Sequence, residues 1–155
     1  MPVSKETIKG IETALQLEKK SYAYYHKKYK QLKEHIFRNL LLFLARQESD
    51  HINHIEKLKK SLMKKRVWSE VKAESKRSRF FKPIKKINHT SHEIEILHVA
   101  MEFEKRTREF YAKQEKKTKE PEVKRFFKKM TKFEDAHYKL LDGMYESFMY
   151  VRLET

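Results

Sequence analysis

The sequence predicts an all-α fold, an antiparallel four-helix bundle built from two repeated helical hairpins joined by one long crossover. Three observations carry this prediction. Apolar residues recur at spacings of three and four in four separate stretches, which places each set on one face of a helix. Only two glycines and three prolines occur in 155 residues, too few for the turns of a β-sandwich or barrel. The second half of the chain also repeats the first at a constant offset of 86 residues.

The first predicted helix covers about residues 5–32, with the stripe Ile8, Ile11, Leu15, Glu18, Tyr22, Tyr25. A polar break without glycine at residues 31–35 precedes the second, at about 33–63. Its stripe is Phe37, Leu41, Leu44, Glu48, His51, Ile55, Leu58, Leu62. The third helix, about 91–117, carries Ile94, Leu97, Met101, Glu104, Tyr111. The fourth, about 120–153, carries Val123, Phe127, Met130, Glu134, His137, Leu141, Met144, Phe148, Val151, and Pro121 suits its first turn. Residues 64–91 form a basic linker with one proline and one tryptophan. A short helix is predicted within it over residues 67–75. So long a connection inside one domain is what a bundle's crossover looks like. The expected organisation is one domain, with hairpins at 5–63 and 91–153.

The repeat is explicit. Residues 14–25 read ALQLEKKSYAYY and residues 100–111 read AMEFEKRTREFY. The same offset carries Leu40, Leu41, Leu44, Glu48 and His51 onto Phe126, Phe127, Met130, Glu134 and His137. A chance likeness of lysine-rich helices would not keep one offset across two helices and a turn.

Composition excludes several chemistries. Cysteine is absent, so disulfides, thiolate metal sites and thiol catalysis are ruled out. The longest apolar run, residues 40–45, is far short of the ~20 residues of a membrane span. The opening MPVSKETIKG has no apolar signal core, and a cytoplasmic protein is expected. The net charge is +15, which raises nucleic acid as a partner. Residues 59–86 hold 12 basic and 2 acidic side chains, so the surplus belongs mainly to the crossover. Trp68, Phe80 and Phe81 are interleaved with its cations. They suit either base stacking along a phosphate-tracking strip or, as favoured here, anchorage of a solvated linker to the bundle.

Six ionisable residues interrupt the apolar stripes: Glu18, Glu48, His51, Glu104, Glu134 and His137. Four facing carboxylates survive in a core only if protonated, paired or bound to cations. Two divalent ions would balance them. Glu18 and Glu48 are equidistant from the first predicted turn, and Glu104 and Glu134 from the second. All four therefore lie roughly 20 Å up their helices and can converge on one layer. Two Glu-x-x-His helices with one further Glu from each of the other two is the constellation of di-iron and di-manganese carboxylate bundles. A third Glu-x-x-His, Glu95 and His98, lies beside the inner stripe and maps by the repeat to Lys9 and Glu12, so it reads as surface. His26, His35 and His54 lack repeat partners of ligand type. Tyr25 and Tyr111 follow the single glutamates by two helical turns. They suit either ordinary packing or a hydrogen bond or redox role beside the metals.

The segments EKKSYAYY with ARQESDH, and MEFEKRTREFY with EPEVKRFFKKMTKFEDAH, resemble the ferritin-like superfamily and, within it, the rubrerythrins. The resemblance implies a ferritin-like bundle with two iron ions bridged by Glu48 and Glu134. Glu18 and Glu104 would be terminal ligands, and His51 and His137 would serve one metal each. Manganese or a mixed pair fits the same ligand types. Family members reduce hydrogen peroxide or react with dioxygen, and many are homodimers. Rubrerythrins proper carry a cysteine-ligated rubredoxin-like domain as electron donor, which this chain lacks, so electrons would come from a separate protein such as a rubredoxin. They also place an extra Glu three residues after the third-helix ligand, where this chain has Thr107. Two other functions share the constellation: ferroxidase or iron handling, which would need a shell-like oligomer, and a nucleic-acid-associated di-iron protein using the basic linker.

Overall fold

The computed structural model describes residues 2–84 and 92–154. Four helices are present: α1 (Lys5–Lys28), α2 (His35–Lys65), α3 (His92–Lys117) and α4 (Pro121–Glu154). Ser4 caps α1, its Oγ accepting from Thr7 N at 3.1 Å, a bond that satisfies one of the free N–H groups of the first turn. His26, Lys27 and Lys28 close the last turn, where cations meet the negative end of the helix dipole. The chain then tightens into a 3₁₀ turn at Tyr29–Gln31. The first helix is thus shorter than its periodicity suggested. Leu32 leaves the helix in extended conformation and is buried, which turns the chain towards α2.

Cross-helix contacts fix the topology. Lys59 of α2 pairs with Glu12 of α1 at 2.6 Å, and Arg108 of α3 with Asp135 of α4 at 2.8 Å. Gly10 faces Gln114, and Tyr25 reaches Ala100 and Glu104, so α1 and α3 are antiparallel. Phe37 stacks edge-on with Phe148, and His51 faces Phe133, so α2 and α4 are antiparallel too. The hairpin pairs α1–α2 and α3–α4 pack most extensively, then α1–α3. The α2–α4 seam is wider.

The interior holds two apolar clusters. One contains Ile8, Ile11, Leu15, Ile55, Leu62, Phe110 and Phe127. The other contains Tyr25, Phe37, Leu41, Leu44, Leu97, Ala100 and Leu141. The repeat governs burial. Ile8 and Ile94, Ile11 and Leu97, Ala14 and Ala100, Leu41 and Phe127, Leu44 and Met130, and Ile55 and Leu141 are all buried. Each helix therefore contributes to both clusters, and its ionisable residues stand between them.

Gly10 marks the closest approach of α1 to α3. A Cβ there would lie 2.5 Å from Gln114 Oε1 and 3.6 Å from Phe127 Cζ. The Gln114 amide is the movable end of a side chain and the phenylalanine is core. Gly10→Ala is therefore expected to stay within about 1 kcal/mol of the wild type, since helix propensity offsets the shift. Gly10→Leu is expected to cost about 1–3 kcal/mol by overpacking. Urea titration of the two variants checks both values.

The crossover corrects one expectation. Residues 67–75 form no helix. Val67 makes a parallel bridge with Pro2, and its carbonyl accepts from Val3 N at 3.0 Å. Glu74 N donates to Thr13 Oγ1 at 2.9 Å. Two turns follow, closed by Ser78 N to Ser75 O and Phe81 N to Ser78 O. Pro83 and Ile84 reach the wall formed by Tyr24 and Lys28. The segment thus climbs α1 from its first turn to its last. Extended backbone covers about 3.3 Å per residue against 1.5 Å for a helix, and contacts to α1 replace the hydrogen bonds a helix would have made. The part of the predicted linker at residues 85–91 lies outside the described residues.

Candidate metal centre

Glu18, Glu48, Glu104 and Glu134 meet in one layer with His51 and His137, and all six are at most 5% exposed. Two groups of ligand atoms form, each with its members within 4.8 Å of one another: Glu18, Glu48, His51 and Glu134, and Glu48, Glu104, Glu134 and His137. Glu48 and Glu134 belong to both groups, while Glu18 and His51 serve one and Glu104 and His137 the other. The two imidazoles stack at 5.5 Å and 17°. His51 Nδ1 lies 3.1 Å from Glu134 Oε1 and 3.5 Å from Glu18 Oε1. His137 Nδ1 lies 3.4 Å from Glu48 Oε1 and 3.5 Å from Glu104 Oε2.

These approaches are not aligned as hydrogen bonds. One atom of each residue, namely Glu18 Oε2, Glu48 Oε1, His51 Nδ1, Glu104 Oε2, Glu134 Oε1 and His137 Nδ1, is buried without a protein hydrogen-bond partner. Buried polar atoms are ordinarily satisfied. Six orphaned lone pairs converging on one volume, from carboxylate and imidazole only, fit divalent transition-metal ions.

Electrostatics divides the carboxylates. Burial raises Glu18, but the close polar approach of Glu48 and His51, and then of Glu134, outweighs it and holds this carboxyl down at about 2. Burial pushes Glu48 and Glu134 well above the usual carboxylate range, and neighbouring carboxylates push them further. Protons on the two shared glutamates thus do part of what cations would do.

Two tyrosines brace the layer. Tyr111 Oη donates to Glu18 Oε1 at 2.6 Å and Tyr25 Oη donates to Glu104 Oε1 at 2.7 Å. Both are fully buried. Burial, then the adjacent carboxylates, raises their phenols well above the ordinary tyrosine value, so they remain donors. Each phenol thus both packs in the core and hydrogen-bonds to one carboxylate of the layer. Tyr111→Phe is expected to weaken metal binding about tenfold, within the 10–100-fold typical of such supporting groups. Competition against a chelator indicator checks it.

Other predicted residues fall outside the cluster. His26, His35 and His54 are exposed, and Glu95 and His98 are half-buried on the outer part of α3. Thr107 is buried, and its hydroxyl donates to Phe103 O at 2.9 Å rather than to the cluster. Periodicity did not single out Phe43 and Phe133. Phe43 is 45% exposed and lies edge-on to His137 at 6.5 Å. Phe133 lies 5.5 Å from His51. They flank the imidazoles along the α2–α4 seam. The offset of 86 maps them to Lys129 and Gln47, so the repeat conceals them; an aromatic eight or four residues from a ligand histidine is the signal that remained.

Four helices, one long crossover and a buried Glu/His layer of metal-binding type define a ferritin-like protein. The chain belongs to the rubrerythrin family, whose model, "Rubrerythrin", matches residues 9–145. Among solved structures it is similar to a hypothetical protein from Pyrococcus furiosus, with TM-score 0.69 and 22% identity over 95% of this chain and 91% of that one. That likeness concerns the fold. No curated protein matches the chain. Among the described residues no helix is long and apolar enough to cross a membrane.

Proposed function

We propose that the chain is a non-haem di-iron redox protein of the rubrerythrin type. It would reduce hydrogen peroxide, or react with dioxygen, with electrons from a separate donor protein. The observation that supports this most is the sharing of Glu48 and Glu134 by two otherwise distinct ligand groups. Such sharing suits two ions held side by side rather than one ion in a cage.

When bound, a pair of ferrous ions supplies the two electrons that peroxide reduction consumes. The overall change adds two electrons and two protons to H₂O₂ and gives two molecules of water. The protein's part is positioning. Glu48 and Glu134 would be shared by the two ions, and Glu18 and Glu104 would complete the charge balance. His51 and His137 present Nδ1, while Tyr111 and Tyr25 fix the orientation of the two terminal carboxylates. The two apolar clusters above and below exclude water. We assign entry of a small oxidant to the α2–α4 seam, where half-exposed Phe43 lies edge-on to His137.

The test is anaerobic iron loading followed by metal analysis and peroxide addition. About two iron ions per chain are expected, with peroxide consumed by the reduced form. A protein that retains no iron after loading overturns the reading.

A further inference from the structure

The crossover's positive charge is unused by the metal centre, and its structure says what it suits. Lys72, Lys76, Arg77, Arg79 and Lys82 are exposed, and none forms an ion pair among the described residues. Glu74, the carboxylate nearest to them in sequence, accepts from Ser78 Oγ at 2.7 Å. Beside them α1 adds Lys19 and Lys20 to the same cleft. Lys20 donates to Phe81 O at 3.3 Å, and burial, then Arg106 and Lys76, lowers its affinity for a proton. The cations are therefore crowded, and none of these five forms an ion pair among the described residues, although Glu102 and Glu109 line the cleft beside Arg79 and Glu74 the cleft beside Lys72 and Lys76.

The aromatics do not face outward with them. Phe80 is 4% exposed, and Trp68 and Phe81 pack partly buried against the core. None is free to stack on a base, which is what single-stranded nucleic acid requires of such a strip. Phe80 instead opens a continuous series of contacts inward. The Arg79 guanidinium lies 4.7 Å over the Phe80 ring. Phe80 meets Phe110 edge-on at 5.1 Å, Phe110 meets Tyr111 at 5.8 Å, and Tyr111 Oη bonds to Glu18 at 2.6 Å. Packed atoms couple electronically better than gaps or water, and this series joins the basic surface to a ligand of the metal centre.

We propose that the exposed cations of residues 72–82 are the docking face for an acidic one-electron carrier protein, and that Phe80, Phe110 and Tyr111 lie on the electron's path to Glu18. This rests on the redox reading above. Two reduced carriers each lose one electron. With two protons, these convert one H₂O₂ into two waters, so the balance needs no further reductant. Charge complementarity sets encounter rate and orientation, and the α1–α3 side is separate from the seam assigned to the oxidant.

The test uses metal-free protein and an acidic rubredoxin as probe, with binding read by fluorescence anisotropy at several salt concentrations. Binding that weakens with salt is expected. Lys76→Glu with Arg77→Glu is expected to weaken it by at least about tenfold. The equal charge change Lys128→Glu with Lys132→Glu, on exposed positions of α4, is expected to leave it unchanged. In iron-loaded protein, Phe80→Leu is expected to slow reoxidation of bound reduced rubredoxin without changing its affinity. Absence of binding, or equal weakening by both double variants, overturns the proposal. So does an oligouridylate that displaces the rubredoxin and is itself lost with Lys76→Glu and Arg77→Glu, which would assign the face to nucleic acid. Peroxide consumption by the wild type with dithionite as reductant tests the redox reading alone, so the two failures are distinguishable.

Discussion

Replacing Glu48 with glutamine is expected to stabilise the metal-free protein while removing its ability to hold two ions together. Glu48 is buried beside Glu18, Glu104 and Glu134, and both burial and those neighbours push its carboxyl upward. A raised folded-state value has a definite sign. The group's contribution to stability is fully present below the ordinary carboxylate pKa and is lost as pH rises through the raised value. In metal-free protein the contribution of Glu48 and Glu134 should therefore fall as pH rises from acid, because they must give up protons into a site already carrying negative charge. Glutamine keeps the size and cannot ionise. A gain on the order of 1–2 kcal/mol at neutral pH is expected, the scale of relieving a strained functional site, together with a shallower pH slope. Since Glu48 is in both ligand groups, the same change should abolish two-ion stoichiometry rather than weaken one site. Thermal melts across pH, paired with metal analysis, check both halves. A destabilised Glu48→Gln protein that still binds two ions would contradict the reading of Glu48 as a shared ligand.

The bundle and its buried layer were legible because one physical rule controls them. A residue on the inner stripe of a helix is buried wherever the stripe runs, and duplication wrote that stripe twice. Glu18 and Glu104, Glu48 and Glu134, and His51 and His137 hold equivalent places, so the repeat separated them from the off-stripe Glu95 and His98. Where structure departs from expectation, the controlling contacts are not periodic. Residues 67–75 have a plausible helical composition, yet Val67 pairs with Val3 and Glu74 with Thr13, and the distance to be spanned favours extended chain. The end of α1 tightens into a 3₁₀ turn, where no side-chain pattern announces it. Phe43 and Phe133 sit beside the histidines at positions the repeat does not conserve, so an argument from symmetry passes over them. The aromatics of the crossover suited base stacking as well as the favoured anchorage, and they pack against the core.

Metal loading is expected to produce the largest change in stability of any treatment. The folded layer offers six inward-facing ligand atoms without protein partners, whereas the unfolded chain scatters them, so ions bind the folded state selectively. At free metal about 100-fold above the dissociation constant, each such site adds about 2.7 kcal/mol. Two sites together, at about 2–4 °C per kcal/mol for a chain near this length, should raise the melting temperature by about 10–20 °C. The pH dependence should also change sign. Loaded protein must keep Glu48 and Glu134 deprotonated, so metal affinity rises with pH, and stability falls in acid as protons compete for the ligands. Proton release on loading, followed with an indicator in weak buffer, measures the same exchange directly. Glu18 bears on the amount released: held at about 2, it enters the exchange already ionised, and the released protons should come from Glu48 and Glu134. Calorimetry with and without chelator, at acid and neutral pH, separates the outcomes. A melting temperature indifferent to metal at both pH values would mean that the buried layer is a self-satisfied polar core, and the convergence of its orphaned atoms would then need another cause.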